Sequence, residues 1–296
     1  MKTVAWIGLG NMGYPMAGHL RQSGGCDVVV HNRSPEKAAR WVNEFDGRMA
    51  HSQLEAARRA EVVFISAGND DDLRAIVFGE EGVLQGLDEG AIIVDHTTTS
   101  AVVAIEIQAL AKKHGIDFVD APVSGGEAGA KQGSLAVMAG GTSESFSRAE
   151  PFMKAYSSQV RHVGPPGAGQ LVKMVNQICT VGIIQSLAEG LHFARQAGLD
   201  IPVAMGALGN GAARSWQMEN RWETMMNDLF DFGFAVDWIR KDLSICLDEA
   251  RRNGANLPTT ALIDQFYADL QAMGGNNWDS SSLIRRLNTS QLAEET

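Results

Sequence analysis

Short, β-branched apolar runs alternate with helix-length stretches through the first half of the chain. The runs occupy residues 3–8, 27–32, 61–66, 91–95, 116–120, 135–139 and 159–163. They are nearly continuous in apolar character, the pattern of strands covered on both faces of a sheet. Helix-length segments at 12–23 and 35–45 separate the first of them. Ser34 followed by Pro35 predicts where the second helix starts. A serine hydroxyl caps free N–H groups there, and proline's fixed φ suits the first helical position.

The pattern changes at Val163-Gly164-Pro165-Pro166-Gly167. Segments 170–196, 201–208, 215–227, 234–253 and 259–273 then carry helical periodicity, with no strand pattern among them. The prediction is an α/β chain: an N-terminal Rossmann doubly wound parallel sheet, then an all-α C-terminal domain with a long interdomain helix. The expected domains are residues 1–164 and 165–296. The helix at 170–196 is apolar around much of its circumference, more than a small helical domain covers. A homodimer or homotetramer built around it is therefore expected.

Composition narrows the function classes. Of 296 residues, 45% are hydrophobic and 20% charged, which fits a globular chain. No run of 18 uninterrupted apolar residues predicts a membrane span. A net charge of −10 repels phosphate backbones, so nucleic acid is not an expected partner. Cys26, Cys179 and Cys246 are far apart and form no CxxC pair, which suits a reducing compartment. With no charged leader and apolar stretch before the TVAWIG run, the expected location is the cytoplasm. The seven histidines show no metal-binding spacing, and no metal site is expected. Asp70-Asp71-Asp72 lacks the Gly and Glu of a calcium loop and reads as a solvated turn. There is no G-x-S-x-G elbow for nucleophilic hydrolysis.

One motif carries chemistry directly. Gly8, Gly10 and Gly13 form G-x-G-x-x-G between the first strand and first helix, with Leu9, Asn11 and Met12 in the intervening positions. The first glycine permits the turn, the second lets backbone approach a pyrophosphate, and the third lets helix and strand pack closely. The helix N-terminus adds free N–H groups and partial positive charge. A nicotinamide dinucleotide is the expected cofactor. The second strand ends in Asn32-Arg33-Ser34 without the acid that usually binds a ribose 2′-hydroxyl. A guanidinium with neighbouring amide and hydroxyl groups suits a 2′-phosphate, so NADP is preferred, with NAD possible.

Further blocks extend this reading along nearly the whole chain: IGLGNMGYPMAGHL at 7–20, VDHTTTS at 94–100, DAPVSGGEAGA at 120–130, GAGQLVKMVNQ at 167–177 and KDL at 241–243. In these the chain resembles the β-hydroxyacid dehydrogenases, which include 3-hydroxyisobutyrate dehydrogenase, tartronate semialdehyde reductase and glyoxylate/succinic semialdehyde reductase. The resemblance implies that Ser124, Gly125 and Gly126 anchor a substrate carboxylate. It implies that Thr98 contacts the cofactor, with Thr97 standing where the family usually has Ser. Lys173 corresponds to the family's general acid/base, and Asn176 to a residue holding the same substrate. Gln177 replaces a second Asn found in several members. Phe234, Lys241 and Asp242 match positions that close over the site, Lys241 near the nicotinamide and Asp242 orienting Lys173.

A catalytic lysine makes sense on chemistry alone. As hydride reaches a carbonyl carbon, an ammonium supplies a proton to the developing alkoxide. Lys173 lies in an apolar stretch, LVKMV, where burial without a purpose is costly. The implied reaction is hydride transfer between NADP(H) and a small hydroxy acid or semialdehyde. Glyoxylate and succinic semialdehyde lead, because Arg33 resembles that branch. Two other readings compete: a non-catalytic regulatory protein of the same fold, and an imine reductase-like enzyme, which typically lacks this lysine. Trp216, Met218, Trp222 and Met225 either line the substrate pocket or fill the core. Arg285 and Arg286 are either a surface pair or, in a dimer, a site for a second substrate carboxylate.

Overall fold

The computed structural model describes residues 2–288. Two compact units divide between Lys173 and Met174, inside a helix. Residue 164 ends the last strand, while the first turn of the helix that follows stays with the sheet.

The first unit runs β1 (Lys2–Ile7), α1 (Gly13–Gln22), β2 (Cys26–His31), α2 (Pro35–Phe45), β3 (Arg48–Met49), α3 (Gln53–Ala57), β4 (Val62–Ile65) and α4 (Asp70–Phe78). It continues with β5 (Ile92–Asp95), α5 (Ala101–Ala111), β6 (Asp117–Asp120), β7 (Val123–Ser124), α6 (Gly126–Gln132), β8 (Leu135–Gly140), α7 (Ser143–Met153) and β9 (Ser157–Gly164). Each apolar run becomes a strand. The short β3 and β7 were not foreseen, since two residues make no periodic signal. Alternate residues of β1 serve opposite faces: Val4 and Trp6 enter one buried cluster, Ala5 and Ile7 the other. Helices cover both faces, which is why these strands tolerate no polar alternation.

Strands β3-β2-β1-β4-β5-β6 are parallel in that order. The far edge departs from the expected parallel sheet. β8 is antiparallel to β6 and β7 and parallel to β9. The register Asp120–Gly140, Val123–Val137 and Ser124–Ala136 shows that β7 continues β6 along β8, past an interruption at Pro122. The connection from Ser124 to Leu135 is shorter than the dozen or so residues that a parallel crossover requires, so the chain turns back. Ser34 takes the extended N-cap backbone and Pro35 opens α2, but the Ser34 hydroxyl makes no capping bond.

A long helix, α8 (Ala168–Gln196), carries the chain on. The second unit, from Met174, adds α9 (Ile201–Leu208), α10 (Trp216–Met226), α11 (Val236–Asn253), α12 (Pro258–Ala272) and α13 (Ile284–Leu287). Its core joins Val181, Ile184 and Leu191 of α8 to Ile239 and Leu243 of α11 and Tyr267 and Leu270 of α12. Among the described residues it has no strand, only an isolated bridge between Ala235 and Asp279. Met218 and Met225 are buried in this core and Trp222 packs against it, whereas Trp216 is half exposed beneath Arg221. By length and composition α8 is apolar enough to cross a membrane, with 44% of its most apolar window buried inside the protein.

Candidate active site

The parallel strands of the first unit deliver their loops to one edge of the sheet: Gly8 after β1, Asn32 after β2, Ser66 after β4, residues 96–100 after β5 and Ala121 after β6. Ligands of open α/β sheets bind at this carboxyl edge. Gly8 has φ +95°, and a Cβ there would lie 2.1 Å from the Ser66 carbonyl oxygen. A Cβ on Gly13 would lie 2.1 Å from the Gly8 oxygen. Close packing therefore demands both glycines. Gly10 differs, because a Cβ there would meet nothing within 4 Å. The backbone N–H groups of Gly10, Asn11 and Met12 have no acceptor among the described residues. An open backbone ringed with free donors fits a pyrophosphate.

Leu9 and Asn32 serve the loop's own shape. Asn32 Oδ1 accepts the Leu9 N–H at 2.9 Å, and its Nδ2 donates to the Ser34 carbonyl at 3.1 Å. The amide expected to bind a 2′-phosphate thus ties the glycine loop to the end of β2. Arg33 and Ser34 are exposed beside it. The β5 loop is stitched in as well: Thr97 Oγ1 accepts from Ala67 N at 2.9 Å, and Asp95 Oδ1 accepts from Thr97 N. Thr98 follows these anchors, partly exposed.

At the end of β6 the chain passes Ala121 and Pro122 into Val123 and Ser124. Gly125 and Gly126 follow with φ +129° and +62°, and a Cβ on Gly126 would meet nothing within 4 Å. Lys173 is buried, and its ammonium donates to the Val123 carbonyl at 2.9 Å. Lysine and serine segment therefore meet within the first unit.

Asn176, Phe234, Lys241 and Asp242 belong to the second unit. Asn176 Nδ2 donates to Gln177 Oε1 at 2.7 Å, and Gln177 Nε2 donates to Asp242 Oδ2 at 2.6 Å. Lys241 Nζ lies 3.1 Å from Asp242 Oδ1. Gln177 thus links the expected substrate residue to the expected aspartate. Being one methylene longer than the family's Asn, it has that extra reach toward α11. Phe234 lies outside this chain of bonds. Its N–H donates to Asp279 Oδ2, a buried carboxylate that also accepts from Ser281.

Other expectations resolve structurally. Asp70–Asp72 form the first turn of α4 under an Asn69 cap, with Asp70 accepting from Ser100 while Asp71 and Asp72 stay exposed. Arg285 pairs with Asp228 and lies over the Trp278 ring; Arg286 pairs with Asp269 over Phe266. Both are committed within the unit. Among the described residues no His, Cys, Asp or Glu cluster is placed to hold a metal.

Three polar residues escaped the sequence reading: His96, Asp120 and Gln170, all buried. Neutral His96 donates from Nδ1 to the Ala121 carbonyl and accepts the Tyr156 hydroxyl at Nε2, 2.8 Å away. Burial lowers its pKa from 6.5 to about 4. Gln170 accepts from Thr99 N and donates to Thr97 O, fastening α8 to the β5 loop. For His96 and Asp120 the one signal was a polar residue at the end of an apolar run; Gln170 gave none.

Comparison with known proteins completes the picture. Residues 3–164 match the family described as the NAD binding domain of 6-phosphogluconate dehydrogenase. Residues 167–287 match NAD-binding of NADP-dependent 3-hydroxyisobutyrate dehydrogenase. An uncharacterized oxidoreductase of Shewanella frigidimarina (strain NCIMB 400) is 56% identical over 98% of this chain and 100% of its own length. A probable mitochondrial 3-hydroxyisobutyrate dehydrogenase-like protein of Arabidopsis thaliana is 36% identical over 96% and 84%. Among solved structures, 3-hydroxyisobutyrate dehydrogenase of Mycobacterium tuberculosis with L-serine superposes with TM-score 0.88 at 29% identity, covering 97% and 99%.

Proposed function

Because the chain belongs to the β-hydroxyacid dehydrogenase family, we propose that it reduces a small semialdehyde of the glyoxylate or succinic semialdehyde class with NADPH. It is an NAD(P)-dependent oxidoreductase acting on CH–OH groups. The substrate, the preference for NADP and the role of Lys173 are the proposal. One observation carries it: a buried ammonium at the Val123 carbonyl, one residue from Ser124.

A reduced nicotinamide, when bound, supplies hydride to the carbonyl carbon. Gly10, Asn11 and Met12 would hold its pyrophosphate through their N–H groups, with Thr98 and Lys241 as further contacts. Arg33 is exposed without an ion-pair partner among the described residues, and the Ser34 hydroxyl caps nothing. Both are available to a 2′-phosphate. Ser124, Gly125 and Gly126 bind the substrate carboxylate, and Asn176 holds the reacting end. Lys173 donates its proton to the carbonyl oxygen as hydride arrives, leaving the alcohol and a neutral amine that solvent reprotonates.

Along α8, Val172, Val175, Ile183 and Phe193 stand exposed by 36%, 59%, 39% and 71%. That apolar row supports a homo-oligomer as the working form.

The test is turnover of two- to four-carbon semialdehydes with NADPH and with NADH. Lys173→Ala is expected to lower kcat by about 10²- to 10⁴-fold. Arg33→Ala is expected to lower the NADPH-to-NADH efficiency ratio by about tenfold or more. Unchanged turnover in Lys173→Ala, or no turnover of any aldehyde by the unsubstituted protein, overturns the reading.

A further inference from the structure

Asp120 is a fully buried carboxylate with no role in the reaction so far described. Its Oδ1 accepts the Gly167 N–H at 2.8 Å and its Oδ2 the Gln170 N–H at 3.0 Å. These donors open α8, so the carboxylate receives both the free N–H groups and the positive end of the helix dipole. Room is made for it on two sides. A Cβ on Gly140 or on Gly169 would lie 2.5 or 2.8 Å from one of its oxygens.

The geometry continues in step. Three residues beyond Asp120 is Val123, and three residues beyond Gln170 is Lys173, whose ammonium meets the Val123 carbonyl. The strand segment 120–124 and the helix segment 167–173 are therefore tied at two levels, by the carboxylate at one and the lysine at the other. Resting on the reading of Lys173 as proton donor, we propose that Asp120 is a positioning residue. Its carboxylate clamps the first turn of α8 to the end of β6 and so fixes the lysine beside Ser124.

An ionised carboxylate accepts strongly on both oxygens; protonation makes one of them a hydroxyl, a weaker acceptor, and loosens one of the two bonds. Burial raises the Asp120 pKa from 3.8 to about 6, against the backbone N–H groups that lower it. The titratable groups around it are Asp95 at the registered end of β5, His96 on the next carbonyl, and Lys173 along α8. The clamp therefore costs folding stability at neutral pH and is retained for geometry, the pattern of a site where position outweighs stability.

The experiment compares the unsubstituted enzyme with Asp120→Asn, whose amide matches the protonated acid in shape. Expected for the variant are a kcat about 100-fold lower at neutral pH, a cofactor Kd within about twofold of the original, and an unfolding temperature that does not fall. The unsubstituted enzyme should lose kcat below about pH 6, and the variant should lack that limb. An unchanged kcat overturns the proposal. So does a kcat loss matched by lost cofactor binding and lost stability, which would mark a merely structural role. Should the variant not fold, amide exchange in residues 167–172 of the unsubstituted enzyme decides. Protection and kcat must decline together as pH falls through 6, and protection declining alone overturns the clamp. Lys173→Ala separates the two readings. Full activity there refutes the proton donor, whereas an inactive Lys173→Ala beside a fully active Asp120→Asn refutes only the clamp.

Discussion

Each unit buries two aspartates among the described residues, Asp95 and Asp120 in the first and Asp242 and Asp279 in the second, and Asp120 and Asp242 are held by different means. Asp120 in the first unit is gripped by backbone N–H groups of a helix terminus. Asp242 in the second is gripped by side chains, Gln177 and Lys241. A backbone-held carboxylate ties two stretches of main chain together and cannot be released without moving a helix. A side-chain-held one can be traded for another polar group while the helices stay where they are. Deep burial with no ion pair among the described residues leaves Asp120 the more costly charge. It is therefore retained for what it positions, while Asp242 contributes through its ion pair.

The sign of the stability change is the sharpest way to break this comparison. The folded pKa of Asp120 lies above its ordinary value, so its contribution is fully present below about pH 4 and lost as pH rises through about 6. Asp120→Asn removes that loss. It should raise the unfolding free energy at neutral pH by on the order of a few kcal/mol in urea titration. A large destabilisation would mean that the two N–H bonds outweigh the burial cost.

Next in size is an unmasking. The folded pKa of His96 is depressed, so its contribution is present above 6.5 and lost as pH falls through about 4. Over the window from pH 6 to 4 the two groups therefore pull in opposite directions and largely cancel. In Asp120→Asn the histidine is left alone, and the unfolding temperature should drop on acidification through that window more steeply than in the unsubstituted protein. Parallel melting curves against pH would rule out this pairing.

The smallest effect belongs to the second unit. Asp242→Asn can still accept from Gln177 but loses the ion pair with Lys241, whose side chain is partly exposed. A destabilisation of about 1 kcal/mol is expected. A change as large as that at Asp120, or of the same sign, would erase the distinction between the two modes of holding.

How much could be read in advance follows the same division. The glycine loop was legible because its chemistry is local: a turn, a close approach and a helix start within six residues. The helices α8 to α12 were legible from periodicity, to within a few residues, whereas the four-residue α13 was not. Asn32 reads from the sequence as a cofactor contact, and its bond to Leu9 does not, because one short amide reads the same whichever partner it has. Ser34 stands at the cap position without capping, which its residue type could not reveal.

Local order, then, was set by the chain's own text: which runs become strands, where α2 and α9 begin, and which glycines must lack a side chain. Apolar periodicity and backbone sterics act over a few residues and need no distant partner. The far edge of the sheet, the carboxylate under α8, the histidine between Ala121 and Tyr156, and the bond from Lys173 to Val123 were decided only by the folded chain. Each joins residues 25 or more positions apart or depends on how short a connection proves. Burial and hydrogen-bond partners at that range are properties of three-dimensional packing, and no residue type announces them.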